Sequence, residues 1–247
     1  MKNMLAAFLA VFLCLPAYAQ VGADEAWFAG PAVHTVTNCD DSGPGSLRDT
    51  LVGTSGKRHV EFSVSCDLTL QSSITANVGD VWVRGETAPA PGFTIRGFPL
   101  EMKRGAMKIS HLRFRTGTNP AWPAGQDSIS VTGATPSGSD CTGQRDMSNI
   151  MLDHVSASWS QDEVIQFWGC NIANITVSNS IIAEGLNNAG HPSGEHSMGL
   201  YIGPGVQDAL VYRNLFVSNK YRNPVIHGGA TAAVVNNVVH NSGDSAI

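Results

Sequence analysis

Four hexapeptides in the second half of the chain carry one pattern: Asn149-Ile150-Met151-Leu152-Asp153-His154, Asn174-Ile175-Thr176-Val177-Ser178-Asn179, Ala209-Leu210-Val211-Tyr212-Arg213-Asn214 and Ala232-Ala233-Val234-Val235-Asn236-Asn237. Aligned on their last residues they are spaced by 25, 35 and 23 positions, and His111 starts the series 43 positions before His154. The wider gaps hold insertions, at Thr116 to Gln126 with Thr135 to Asp146, and at Leu186 to Ser197. Units of about two dozen residues, all strand and turn, describe coils of a parallel β-helix, in which each coil buries itself only against its neighbours. His111, His154, Asn179, Asn214 and Asn237 are then expected to stack at one corner. There their side chains hydrogen-bond along the column and satisfy turn backbone. That reading assigns the two histidines to a ladder rather than to catalysis. An immunoglobulin-like sandwich is the alternative, but it calls for hairpins rather than a one-way coil.

The rest of the chain agrees with coils. Charged residues are 14% of the 247, glycines number 26, and helical periodicity is almost absent beyond the N-terminus. Short alternating runs such as His59 to Val64, Asp80 to Arg84, Phe93 to Arg96, Met107 to Arg115 and Asp127 to Val131 read as strands punctuated by Gly, Pro, Ser and Asn. Ser46 to Leu51, introduced by Gly43-Pro44-Gly45, is the one early helix expected, and it suits the open end of a β-stack.

Residues 1–19 read as a secretory signal peptide. Lys2 is followed by a mostly apolar run from Met4 to Pro16, and Ala17-Tyr18-Ala19 fits a cleavage site. The apolar run is short for a membrane span. The expected mature domain is 20–247, exported to the periplasm or the extracellular space, with no membrane partner after cleavage. Losing Lys2 moves the formal net charge from −5 to −6, and an acidic chain without a basic run argues against nucleic acid. Cys14 leaves with the leader, and four cysteines remain in an oxidising compartment. Three pairings exist; Cys39–Cys66 and Cys141–Cys170, each joining segments near in sequence, are the ones favoured. No CxxC spacing supports zinc.

Several ordered motifs remain: Ser42-Gly43-Pro44-Gly45-Ser46-Leu47-Arg48, Gly85-Glu86-Thr87-Ala88-Pro89 with Gly92-Phe93-Thr94-Ile95-Arg96-Gly97, His111-Leu112-Arg113-Phe114-Arg115, Asp127-Ser128-Ile129, Leu152-Asp153-His154-Val155-Ser156, Ser158-Trp159-Ser160-Gln161-Asp162-Glu163 and Arg222-Asn223-Pro224. In this order and spacing the chain resembles the pectate lyase family of polysaccharide lyases, from about Val36 to its last residue. The resemblance implies an all-β, right-handed parallel β-helix. It also implies a secreted enzyme, monomeric at full length, that cleaves polygalacturonate by calcium-assisted β-elimination into 4,5-unsaturated oligogalacturonides. Such a reaction removes the proton at C5 of a uronate and expels the C4 oxygen, so the neighbouring carboxylate must be neutralised. Calcium, a hard ion that takes oxygen ligands, suits that task.

By resemblance, Arg222 is the catalytic arginine, and Asp127, Asp162 and Gln166 occupy calcium-ligand positions. Asp127 is expected at the turn before its strand. Asp162 and Gln166, four apart, are expected on one face of the next coil while Ile165 and Phe167 point inward. Gln166 departs from the acid usual in the family; an amide oxygen binds calcium without adding charge, and Glu163 compensates if the register shifts by one. Arginine is a difficult base and needs cations nearby to favour its neutral form; bidentate binding of a substrate carboxylate is its fallback. Pro224 restrains the backbone beside it.

Weaker substrate-binding candidates are Lys220, His227, which stands where relatives often place arginine, Met198, which replaces a common lysine, and His196. Glu184, His191, Glu195 and His196 cluster in the long insertion, a binding loop over the groove, where the two histidines have metal-ligand spacing. Trp159 and Trp168 are candidates for stacking on sugar rings. The alternatives are a pectin lyase acting on methylated substrate, a β-helix hydrolase with paired aspartates, and an inactive β-helix binding protein or adhesin, for which Gln166 and Met198 are the support. The stretch 241–247 carries no recognisable cap, from which a fragment of a longer lyase, prone to aggregate as a separate chain, is expected.

Overall fold

The computed structural model describes residues 22–28, 30, 32–118, 125–133 and 146–243. The expected leader and Cys141 lie outside the described residues. What remains is a parallel β-helix made of three sheets of 8, 6 and 7 strands. Each coil visits the first sheet, then the third, then the second, before pairing in parallel with the coil above. Ile150–Asp153, Ser156–Ser158 and Glu163–Trp168 form one such coil, and Ala173–Ser178, Ile181–Ala183 and Met198–Ile202 the next.

The alternation of side chains decides what each sheet buries. In the second sheet Leu100, Ile129, Ile165 and Leu200 stand in register and form an apolar column inside the coil. Met102, Val131, Phe167 and Ile202 form a second one. The intervening positions Thr75, Glu101, Ser130, Gln166, Tyr201 and Val225 make an outward column. One face is therefore core and the other a groove floor.

The corners are made by single residues in the left-handed backbone region. Asp80, Ala106 and Asn149 stand just ahead of strands of the first sheet, and Asn174 and Asp208 are the second residues of theirs, all with φ between 51° and 58°. His111, His154, Asn179, Arg213 and Asn236 follow it with φ between 50° and 57°. Trp159, Glu184, Ser218 and Asn241 follow the third sheet. A lone αL residue turns the chain sharply without consuming a loop, and Asn, Asp and His are the non-glycine types most tolerant of it.

This register corrects the expected ladder. Ser178 pairs with Tyr212, so Asn179 stands beside Arg213 and the middle spacing is 34 rather than 35. Asn214 and Asn237 fall one position later, in a column with Val155 and Ser180. Asn214 is buried; its Oδ1 accepts from the Ser180 amide at 3.0 Å, and its Nδ2 donates to Val177 O at 2.8 Å and Asn237 Oδ1 at 3.0 Å. The histidines stay on the exposed corner. His111 and His154 stack at 4.6 Å, and His154 Nδ1 lies 2.9 Å from Asp153.

The early helix is Leu47–Val52, capped by Ser46, whose hydroxyl accepts from the Asp49 amide at 3.2 Å. Its buried Leu47, Thr50 and Leu51 cover the first coil. Cys39 and Cys66 are disulfide-bonded, one of the two expected pairs. Among the described residues no helix is long and apolar enough to cross a membrane.

Candidate functional site

The site is built on the groove side of the second sheet, where the strand starts of two adjacent coils supply the acids and that of a coil two further on supplies Arg222. Asp127 sits two residues before Ile129–Thr132, in the turn, and is 8% exposed. On the next coil Asp162 precedes Glu163–Trp168, and Glu163 opens that strand at 2% exposure. Glu163 has the inward parity of Ile165, but at the strand's first position its side chain turns toward the lip. Carboxylate oxygens of Asp127, Asp162 and Glu163 lie within 4.8 Å of one another.

Burial, and then the charge of Asp162, push the Asp127 carboxyl well above its ordinary value, with a Ser130 hydrogen bond acting the other way. Asp127 is held from two sides: Oδ1 accepts from the Glu163 amide at 3.2 Å and Oδ2 from Gln166 Nε2 at 2.9 Å. Glu163 Oε2 is buried and has no hydrogen-bond partner among the described residues. A buried carboxylate oxygen left over beside two further carboxylates fits a cation with oxygen preference.

Gln166 does lie on the outward face, but as a hydrogen-bond donor to Asp127. The third acid of the cluster is Glu163. Sequence reasoning named Gln166, four residues along, with Glu163 as the substitute for a shift of one; the bend ahead of Glu163 lets the adjacent Asp162 and Glu163 aim into one space.

Arg222 faces this cluster from two coils on. Its guanidinium forms an ion pair with Glu163 Oε1 and lies 4.9 Å from the centre of the Tyr201 ring. Its side chain is 29% exposed, and burial lowers its pKa from the ordinary arginine value, against the opposing charges of Asp162 and Asp127. The backbone of Arg222 is left-handed, with φ 62°, and its carbonyl accepts from the Leu200 amide at 2.6 Å. Gly199 makes room for that crossing, since a Cβ there would lie 2.5 Å from the Arg222 carbonyl oxygen.

The remaining candidates divide. His227 is exposed and meets the edge of Tyr201 at 6.0 Å, on the rim beside Arg222. Lys220 pairs with Glu195 at 2.9 Å and ties the long insertion to the coil. Met198 is 2% exposed and paired in register with Glu163, so its side chain presents almost no surface to a ligand. His196 reaches Asp162 Oδ1 at 3.2 Å and His191 approaches Oδ2 at 3.6 Å. Trp159 is partly exposed and donates to Glu184 at 2.9 Å.

Comparison with known proteins bears on the whole arrangement. The chain is 32% identical over 239 residues to a protein of Aspergillus oryzae described as probable pectate lyase C, matching 96% of this chain and 50% of that one. Proteins of the same description from Emericella nidulans and Neosartorya fischeri are 33% and 34% identical, over 94% and 97% of this chain and 48% and 51% of theirs. The chain is a relative of the pectate lyases. It spans about half the length of these curated pectate lyase relatives. No protein-family model matches it. A crystal structure of jun a 1, the major allergen from cedar pollen, aligns with 90% of this chain and 81% of that one at 16% identity and TM-score 0.40, a likeness too slight to bear on the site.

Proposed function

We propose that this protein is a secreted pectate lyase that cleaves polygalacturonate by calcium-assisted β-elimination, leaving 4,5-unsaturated oligogalacturonides. The observation that carries the reading is the partly desolvated Arg222 guanidinium set directly against Asp127, Asp162 and Glu163. Calcium held by Asp127, Asp162 and Glu163 would neutralise the uronate carboxylate and so make the C5 proton more acidic.

The protein's own groups do the rest. In the resting chain Arg222 is engaged by Glu163, and the paired charges keep it protonated. Engagement of the Glu163 carboxylate elsewhere releases the guanidinium toward substrate. In that reading Arg222, its pKa lowered by burial, first gives up a proton to water; the neutral guanidine takes the C5 proton, the C5–H electrons form the C4–C5 double bond, and the C4 oxygen leaves and is protonated by water. Tyr201 packs against Arg222 and limits the directions it can take. His227 and the outward column of Thr75, Glu101, Ser130 and Gln166 line the path along which an extended polymer would lie.

The test is ultraviolet absorbance of the conjugated product when polygalacturonate is added with calcium and then with chelator. The expected result is a calcium-dependent rise. New reducing ends without absorbance would assign the acids to hydrolysis, a second reading favoured by the close Asp127–Asp162 pair and the raised Asp127 carboxyl. Binding without either product would leave a binding protein. Activity on methylated pectin alone, without calcium, would mark a pectin lyase.

A further inference from the structure

The long insertion folds back over Asp162 and delivers two imidazoles to it. His191 and His196 stack with ring centres 3.5 Å apart, their side chains 13% and 10% exposed. Nε2 of each points to a different oxygen of the same carboxylate, and the three donor atoms lie within 4.8 Å of one another.

The surroundings fit a metal rather than a surface accident. His196 Nδ1 lies 3.2 Å from the Glu195 carbonyl oxygen, the outer hydrogen bond that leaves the Nε2 lone pair to a ligand. His191 Nδ1 accepts from the Ser193 amide at 3.1 Å, so the proton of a neutral His191 is on Nε2, and a metal at Nε2 would require it to move to Nδ1. The insertion is fastened at several points: Gln161 Nε2 to Ala189 O at 2.7 Å, the Leu186 amide to Ser160 O at 2.8 Å, and Lys220 to Glu195. Opposite the rings stands Gly125, where a Cβ would lie 2.8 Å from His191 Nε2 and 3.0 Å from Asp162 Oδ2. The absent side chain leaves space at the donor atoms themselves.

We propose that Asp162, His191 and His196 form a binding site for a divalent transition ion of the zinc type. Two imidazoles and one carboxylate select such an ion over calcium, which seeks oxygen only, and three protein donors leave a further position open. The site goes beyond the elimination reading and stands without it; Asp162 is common to both sets of donors.

The test uses the untagged chain stripped with chelator and titrated with cobalt(II), whose visible d–d bands report coordination. One equivalent is expected to produce bands that zinc removes and calcium at the same concentration does not. His191→Ala and His196→Ala are each expected to weaken cobalt binding by roughly tenfold or more. Asp127→Asn and His154→Ala are expected to keep the bands. Circular dichroism checks the fold, and His191→Gln and His196→Gln carry the same test if an alanine variant unfolds. Absent bands, bands that survive loss of both histidines, or bands lost in His154→Ala would overturn the assignment.

Discussion

Replacing Arg222 with lysine keeps a positive charge but removes the planar fork that meets Glu163 and packs on Tyr201. On the proposed mechanism Arg222→Lys should lower the rate of ultraviolet-absorbing product by on the order of a hundredfold or more. Normal turnover would end the base assignment. Gln166→Asp tests the other side of the groove. It exchanges an amide that donates to Asp127 for a like charge, so the chelator-treated protein should melt at a lower temperature. With calcium the added charge should instead lower the concentration needed for half-maximal stabilisation by several-fold. A melt unchanged in chelator would show that residue 166 is electrically remote from Asp127. The ordered motifs singled out Asp127, Asp162 and Arg222, and the fold brings the three to one side of the groove. Glu163 was named only as a substitute for a shifted register, because a strand's two-residue period says nothing about the bend at its first residue that brings it into the acidic cluster.

At the level of single strands and corners, the design is a ladder displaced by one residue from the turn that makes it. The αL residue supplies the bend and faces solvent, while its successor faces inward and must be apolar or fully hydrogen-bonded. Asn214 meets the second condition with three partners. Asn214→Ala should therefore cost about 2–3 kcal/mol, seen as a lower denaturant midpoint, since it strands the Ser180 amide and the Val177 carbonyl in the interior. A midpoint within error of the parent chain would mean that water enters the corner. The repeat made this ladder visible, and the spacings of 25 and 23 residues match the register. The third did not, because the 186–197 insertion hides where the next coil resumes and both Arg213 and Asn214 fit the hexapeptide pattern. The capping helix was legible for a different reason: Ser46 and the glycines before it are a local signal that needs no partner.

For the molecule as a whole, the clustered acids tie stability to pH and to cations. The Asp127 carboxyl is raised in the folded chain, so from its unfolded pKa of about 4 upward the folded state holds more proton than the unfolded one. Without calcium, stability should fall as pH climbs through that interval. Because a bound cation favours the ionised carboxylates, the calcium-induced rise in melting temperature should grow over the same interval. Melting curves at several pH values, with calcium and with chelator, check both signs; a calcium shift independent of pH would separate Asp127 from the ion. Period, alternation, turn chemistry and the helix cap could be read from the chain alone, because each arises between residues close in sequence. The carboxylate trio, the Arg222–Glu163 pair and the two imidazoles over Asp162 join residues from different coils and an insertion. Only the stacking of coils, whose lengths the repeat does not set, decides which of those side chains come within a few ångströms of one another.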